Sequence, residues 1–247
     1  MANGREEAMV LEHGHSHDEI ADRLAAPPAG GKLRDAVYGG MDGAVTTFAI
    51  VAGVEGAGLP TAVILALGFA NVLADGFSMA AGNFVGTRAE VQDRARLRAI
   101  EERHIETVPE GEREELRQIL AAKGLTGQVL EDATEAISAQ RGVWIDMMLV
   151  EEYGVAPTDP VPMRAAIVTF VAFLAAGLIP LMPFVLGLDG AFASSAVMTG
   201  VVFFAIGSLK SRWSLARWWT SGLETLAIGT VAAALAYGVG SLFDAAL

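Results

Sequence analysis

GAGLPTAVILALGFANVLADGFSMAAGNFVGTRAEVQDRARLRAIEERH, residues 56–104, joins two chemistries in one run. From Gly56 to Thr87 the only charge is Asp75; from Arg88 onward charged residues dominate. As a helix, the 32 uncharged-but-one residues would extend about 48 Å at 1.5 Å per residue. The hydrocarbon core of a bilayer is roughly 30 Å thick, so the helix should cross it and project its far end into water. Upstream, Ala36 to Val54 is uncharged except for Asp42 and supplies a first span. Downstream, Ala165 to Leu188, Ala191 to Leu209 and Thr225 to Phe243 supply three more, each long enough to cross. Pro180 and Pro183 should kink the first of these three near its end, where neighbouring groups can satisfy the freed carbonyls. A hydrophobic content of 53% over 247 residues and a mean hydropathy of +0.43 agree with a membrane protein.

Between Arg88 and Gly154 the chain carries 15 acidic and 9 basic residues, and its apolar residues take the spacing of amphipathic helices. The reading is a charged continuation of the second span to about Thr107, a helix opened by Pro109 and closed by Gly124, another over Thr126 to Gln140, and a last over Val143 to Tyr153. Pro157, Pro160 and Pro162 then form a linker. The predicted fold is an all-α membrane protein of five transmembrane helices, with a three-helix cytoplasmic domain inserted between the second and third. Its parts are a flexible tail (1–31), spans one and two (32–87), the acidic insertion with its linker (88–162), and spans three to five (163–247).

Basic residues orient the chain. Lys32 and Arg34 precede span one, nine flank or fill the insertion, and Lys210, Arg212 and Arg217 separate spans four and five. The opposite loops hold Glu55 and Asp189 and no lysine or arginine. A cytoplasmic N-terminus and insertion follow, with the C-terminus on the other side. Six acidic residues and no apolar core in the first 30 argue against a cleaved secretory signal.

A net charge of −12 disfavours a nucleic-acid partner and favours cations. The absence of cysteine excludes disulfides, thiolate metal sites and thiol catalysis. No GxSxG, Walker loop or HExxH is present, so hydrolase and ATP-driven chemistry lack a motif.

A carboxylate inside a span costs roughly 2.5 to 3.5 kcal/mol, so Asp42 and Asp75 require partners, water or a cation. Asn71, Asp75, Met79 and Asn83 recur every four residues and line one stripe of the second span, which reads as an ion pathway. Beside it Ala70, Ala74, Ser78, Gly82 and Gly86 form a ladder of small residues suited to close helix contact. In the insertion, Glu101 with His104, Glu112 with Glu115, and Met147 or Met148 with Glu151 each share a helical face. Three such faces converging would hold ferrous, manganous or zinc ions. The plain alternatives are a hydrated Asp75, packing methionines and a solvated acidic surface. His13, His15 and His17 alternate in an acidic tail and would capture metal weakly, or are incidental.

KLRDAVYGGMDGAVTTFAIVAG (32–53), ADGFSMAAGNFVGTRAE (74–90) and WIDMMLVEEYG (144–154) resemble the vacuolar iron transporter family. The resemblance implies a homodimer with a cation pathway at the subunit interface, a cytoplasmic metal-binding domain, and exchange of Fe²⁺ for H⁺. Asp42 and Met79 match pathway positions, and Glu101, Glu112, Glu115, Met147, Met148 and Glu151 match ligands of the soluble domain. His104 stands where the family places a glutamate, and Asn71 and Asn83 stand at positions often acidic in relatives. No tightly bound cofactor is implied; Fe²⁺, or Mn²⁺ or Zn²⁺, is cargo. The expected function is export of divalent metal from the cytoplasm across the lipid bilayer. The alternatives are a manganese exporter and a membrane metal sensor. Ferrous oxidation would need a Glu-x-x-His pair on each of two helices, and in the predicted helices only Glu101 and His104 form one.

Overall fold

The computed structural model describes residues 14–25, 31–156 and 158–244, and no strand occurs among the described residues. His13 and Pro157 lie outside them. The chain divides into two units at Gly30–Gly31. Of the first, the described part is one short helix, α1 (His17–Ala25). Ser16 caps it: the Glu19 amide donates to the Ser16 hydroxyl, while the Ser16 amide and hydroxyl donate to Glu19 Oε2 at 3.1 and 2.5 Å. This reciprocal box satisfies donors that a helix start leaves open, and it holds the Glu19 carboxyl below its usual range.

The second unit begins with α2 (Lys32–Gly56) and α3 (Thr61–Thr107). It continues through α4 (Pro109–Ala122), α5 (Gly127–Ser138) and α6 (Arg141–Glu151). It then returns to apolar sequence in α7 (Pro162–Gly177), the short α8 (Met182–Val185), α9 (Ala191–Lys210) and α10 (Trp218–Asp244). Five helical segments are long and apolar enough to cross a membrane: Leu33–Gly56, Thr61–Thr107, Pro162–Val185, Ala191–Trp213 and Trp218–Asp244.

α2 is the central span, packed against α3, α7, α9 and α10. Half of its apolar window is buried, against 11% for α10 at the periphery. Glycine sets the closest approach: a Cβ on Gly39 or Gly43 would collide with the backbone of Thr169 or Phe173 on α7. The two glycines are one turn apart and so are their partners, so the helices meet along small-residue grooves, where dispersion contacts rather than water exclusion hold spans together.

The third span breaks where its prolines predicted. α7 ends at Gly177, a 3₁₀ turn covers Ile179–Leu181, and α8 follows. The Pro180 carbonyl accepts a 2.6 Å hydrogen bond from the buried Ser195 hydroxyl on α9. α10 begins at Trp218 rather than near Thr225, and Glu224 lies within its first turns, 3.5 Å from Lys210.

α3 is one uninterrupted helix of 47 residues. Its charged half joins α4, α5 and α6 around an apolar core of Leu97, Ile105, Leu116, Leu120, Leu130, Trp144, Ile145, Met148 and Leu149. One rigid element therefore carries both the polar stripe of the second span and one wall of the acidic module.

Candidate functional site

Two polar regions lie along α3. In its membrane half, Asn71 Nδ2 donates to Thr46 Oγ1 at 3.3 Å, and Thr46 in turn donates to the Asp42 carbonyl at 2.8 Å. Asp42 on α2 and Asp75 on α3 lie within electrostatic reach of each other, both half-buried. Farther along, Met79 and Asn83 line a cavity of about 500 Å³ together with Asp35, Tyr38, Thr87, Glu90 and Thr169. Asn83 Nδ2 donates to Asp35 Oδ1 at 3.1 Å and to Thr169 Oγ1 at 2.8 Å, and its Oδ1 accepts from Thr87 at 3.3 Å. The stripe read from the sequence thus meets α2 and α7 through Asn71 and Asn83.

Asp35 and Thr169 are members that sequence reasoning missed. Asp35 is 5% exposed and stands two turns before Asp42 on the same helical face, a signal that the i, i+7 spacing could have given. Thr169 reaches Asn83 from 86 residues away, a proximity set by packing alone. The small-residue ladder Ala70, Ala74, Ser78, Gly82 and Gly86 is exposed along its length in the single chain.

The second region forms where α3 and α4 run side by side. Glu101, His104 and Glu112 each bring one ligand atom to within 4.8 Å of the others. Glu101 is 0% and Glu112 4% exposed. His104 Nδ1 lies 3.3 Å from Glu112 Oε1, and the Tyr153 hydroxyl donates to Glu101 Oε1 at 2.8 Å. Glu101 Oε2 and Glu112 Oε2 are buried with no hydrogen-bond partner among the described residues. Orphaned carboxylate oxygens of this kind cost free energy unless a cation or proton meets them. Burial, reinforced by Glu101 and Glu115, pushes the Glu112 carboxyl up to about 7, with His104 opposing. Burial, with Glu101 and Glu115, likewise raises Glu152.

The sequence-predicted ligands distribute as follows. Glu101, His104 and Glu112 converge, and exposed Glu115 acts on the cluster through its charge. Met148 is fully buried in the apolar core and Met147 packs at that core's edge. Glu151 turns to Lys123 Nζ at 2.7 Å, while its neighbour Glu152, which sequence reasoning passed over, faces the cluster electrostatically. His15 and His17 belong to the first unit and are exposed, His17 Nδ1 lying 3.5 Å from Asp18 Oδ1.

An imidazole and two buried carboxylates make a mixed nitrogen–oxygen donor set suited to first-row divalent ions. In the apolar helices, Asp42, Asp75 and Met79 are all half-buried. Known proteins are similar in sequence over most of the chain. Vacuolar iron transporter 2 of Oryza sativa subsp. japonica is 32% identical over 216 residues, covering 85% of this chain and 87% of that protein. Vacuolar iron transporter 1 of Arabidopsis thaliana is 32% identical over 213 residues, 85% of each chain. The vacuolar iron transporter of Toxoplasma gondii (strain ATCC 50861 / VEG) is 33% identical over 224 residues, 86% of this chain and 74% of its own. The model of the VIT family matches residues 33–241, a stretch that holds both polar regions, and the chain belongs to that family.

Proposed function

We propose that the protein is a divalent-metal transporter that carries Fe²⁺, and Mn²⁺ by similarity of coordination, out of the cytoplasm in exchange for H⁺. Its relatives are named as iron transporters, and it is a transporter, not an enzyme. The observation that carries the reading is the pair of buried, unpartnered carboxylate oxygens on Glu101 and Glu112. They sit on a module built around the same helix that bears Asp75, Met79 and Asn83. From Met79 to Glu101, 22 positions of helix span about 33 Å at 1.5 Å per residue, so the cluster collects ions well clear of the bilayer.

The ion is partly dehydrated by Glu101, His104 and Glu112, enters the cavity beside Met79 and Asn83, and passes Asp42 and Asp75. The acidic module and N-terminus face the cytoplasm by the distribution of lysine and arginine. A carboxylate must lose its proton to bind the cation, so metal and proton compete for the same oxygens, the minimum condition for exchange. The exposed ladder from Ala70 to Gly86 pairs two copies, placing two pathways side by side in a homodimer. Proteoliposomes loaded at one pH and diluted into another test the transport: inward accumulation of radioactive iron should follow an outward proton gradient. Tight binding without flux would mean a sensor instead. Mn²⁺ added in excess measures the preference between the two ions.

A further inference from the structure

Each buried carboxylate of the cluster has one oxygen engaged and one unpartnered. At Glu112 the engaged oxygen is Oε1, 3.3 Å from His104. At Glu101 it is again Oε1, and the donor is the phenol of Tyr153, at 2.8 Å. Tyr153 arrives there from outside the α3–α4 pair. α6 ends at Glu151, the Glu152 amide closes on the Met148 carbonyl at 2.9 Å, and the Val155 amide closes on the Leu149 carbonyl at 3.0 Å. Gly154, at φ 66°, makes the reversal between them, a conformation that a residue with a Cβ rarely adopts. Val155 then packs on the module's core. The phenol is therefore held at both ends of its turn, and its ring is half-buried.

Resting on the metal-site reading above, we infer that Tyr153 is a positioning residue. Its hydroxyl occupies Glu101 Oε1, so that this carboxylate offers a cation one oxygen, Oε2, and the coordination number and metal preference of the site are set accordingly. A phenol is a single donor. Glu152 also lies in hydrogen-bonding reach of it, but only one carboxylate can take the proton, and the geometry gives it to Glu101. With Oε1 blocked, Glu101 binds through one atom beside the His104 ring and Glu112, a compact set with a nitrogen donor. Freed of the phenol, Glu101 can chelate through both oxygens, which suits larger, oxygen-preferring Mn²⁺ better than Co²⁺ or Fe²⁺. Partners that orient metal ligands typically account for 10- to 100-fold in affinity.

The test is binding of Co²⁺ and Mn²⁺ to the full-length protein in detergent, wild type against Tyr153→Phe, with the visible absorption of bound Co²⁺ recorded. Tyr153→Phe keeps the ring and its packing, and helicity and melting are checked alongside. The expected result is a Co²⁺ affinity lower by about tenfold or more, a smaller loss for Mn²⁺, and weaker Co²⁺ bands from a higher coordination number. Tyr153→His, which restores a ring N–H donor, should return the spectrum toward wild type. Wild-type affinity and spectrum in Tyr153→Phe, equal losses for both ions with an unchanged spectrum, or a Tyr153→His protein indistinguishable from Tyr153→Phe would overturn the inference. Glu101→Gln separates the two levels. If it too leaves Co²⁺ binding intact, the metal site itself is misplaced; if it abolishes binding while Tyr153→Phe does not, only the role of Tyr153 fails.

Discussion

Asn83 shows why an amide, and not a carboxylate, stands in the polar stripe. Asp35 is nearly buried and needs a donor; Asn83 supplies it, and donates to Thr169 as well. A glutamate or aspartate there would face Asp35 with like charge. Asn83→Leu removes the nearer of two donors to Asp35 Oδ1, leaving Arg34 at 3.4 Å, and should cost about 0.5–1.5 kcal/mol, read as a lower melting point in detergent. Glu112 makes a pH prediction. Its carboxyl is raised from 4.5 to about 7 chiefly by burial, so the folded protein keeps a proton that the unfolded chain releases. The stability this group contributes is therefore full below pH 4.5 and is lost as pH rises through about 7. Metal binding runs the other way. Below pH 7 a cation must displace that proton, and affinity should fall about tenfold per pH unit; calorimetry of Mn²⁺ binding from pH 5 to 7 measures it, and Glu112→Gln should flatten the dependence.

At the scale of elements, legibility followed the range of the physics. Hydropathy and helical period act between near neighbours, so five spans, the long second helix, the proline break at Pro180 and the amphipathic helices of the insertion were readable from residues alone. Asp75, Met79 and Asn83 were readable for the same reason, since one helix face is a local property. Thr169 and Tyr153 were not, because their partners stand 86 and 52 residues away; Asp35 shares the helical face of Asp42, but its pairing with Asn83, 48 residues on, is set by packing. Likewise a glutamate pair at a helix end does not say which side chain turns in: Lys123 draws Glu151 aside, and Glu152 faces the cluster. The acidic module owes its cohesion to its own core. Leu116→Ala, at a position with no exposure, should destabilise the module by about 2–5 kcal/mol, seen as an earlier transition in thermal melting with weakened metal binding. Gly43→Leu would force α2 away from the α7 backbone and should abolish both expression as a folded protein and transport.

For the whole molecule, the long α3 carries both the polar stripe and the Glu101–His104 wall of the acidic module. The linker after α6 is fastened to the same helix: Arg94 donates to the Ala156 carbonyl and pairs with Asp159 at 3.4 Å, and α7 then returns to bring Thr169 to Asn83. The exposed ladder on α3 leaves room for a second copy, since a side chain on Gly82 or Gly86 would meet nothing within 4 Å. As the chain has no cysteine, Ser78→Cys or Gly82→Cys should give crosslinked dimers in membranes, while a cysteine at exposed Val231 on α10 should not. The central claim is that Asp42 lies on the path of the ion, and iron uptake into proteoliposomes under an imposed pH gradient tests it most directly. Wild-type protein should accumulate Fe²⁺ in proportion to the gradient, and Asp42→Ala should lose that flux while still binding metal at Glu101, His104 and Glu112. Undiminished flux in Asp42→Ala would contradict the account.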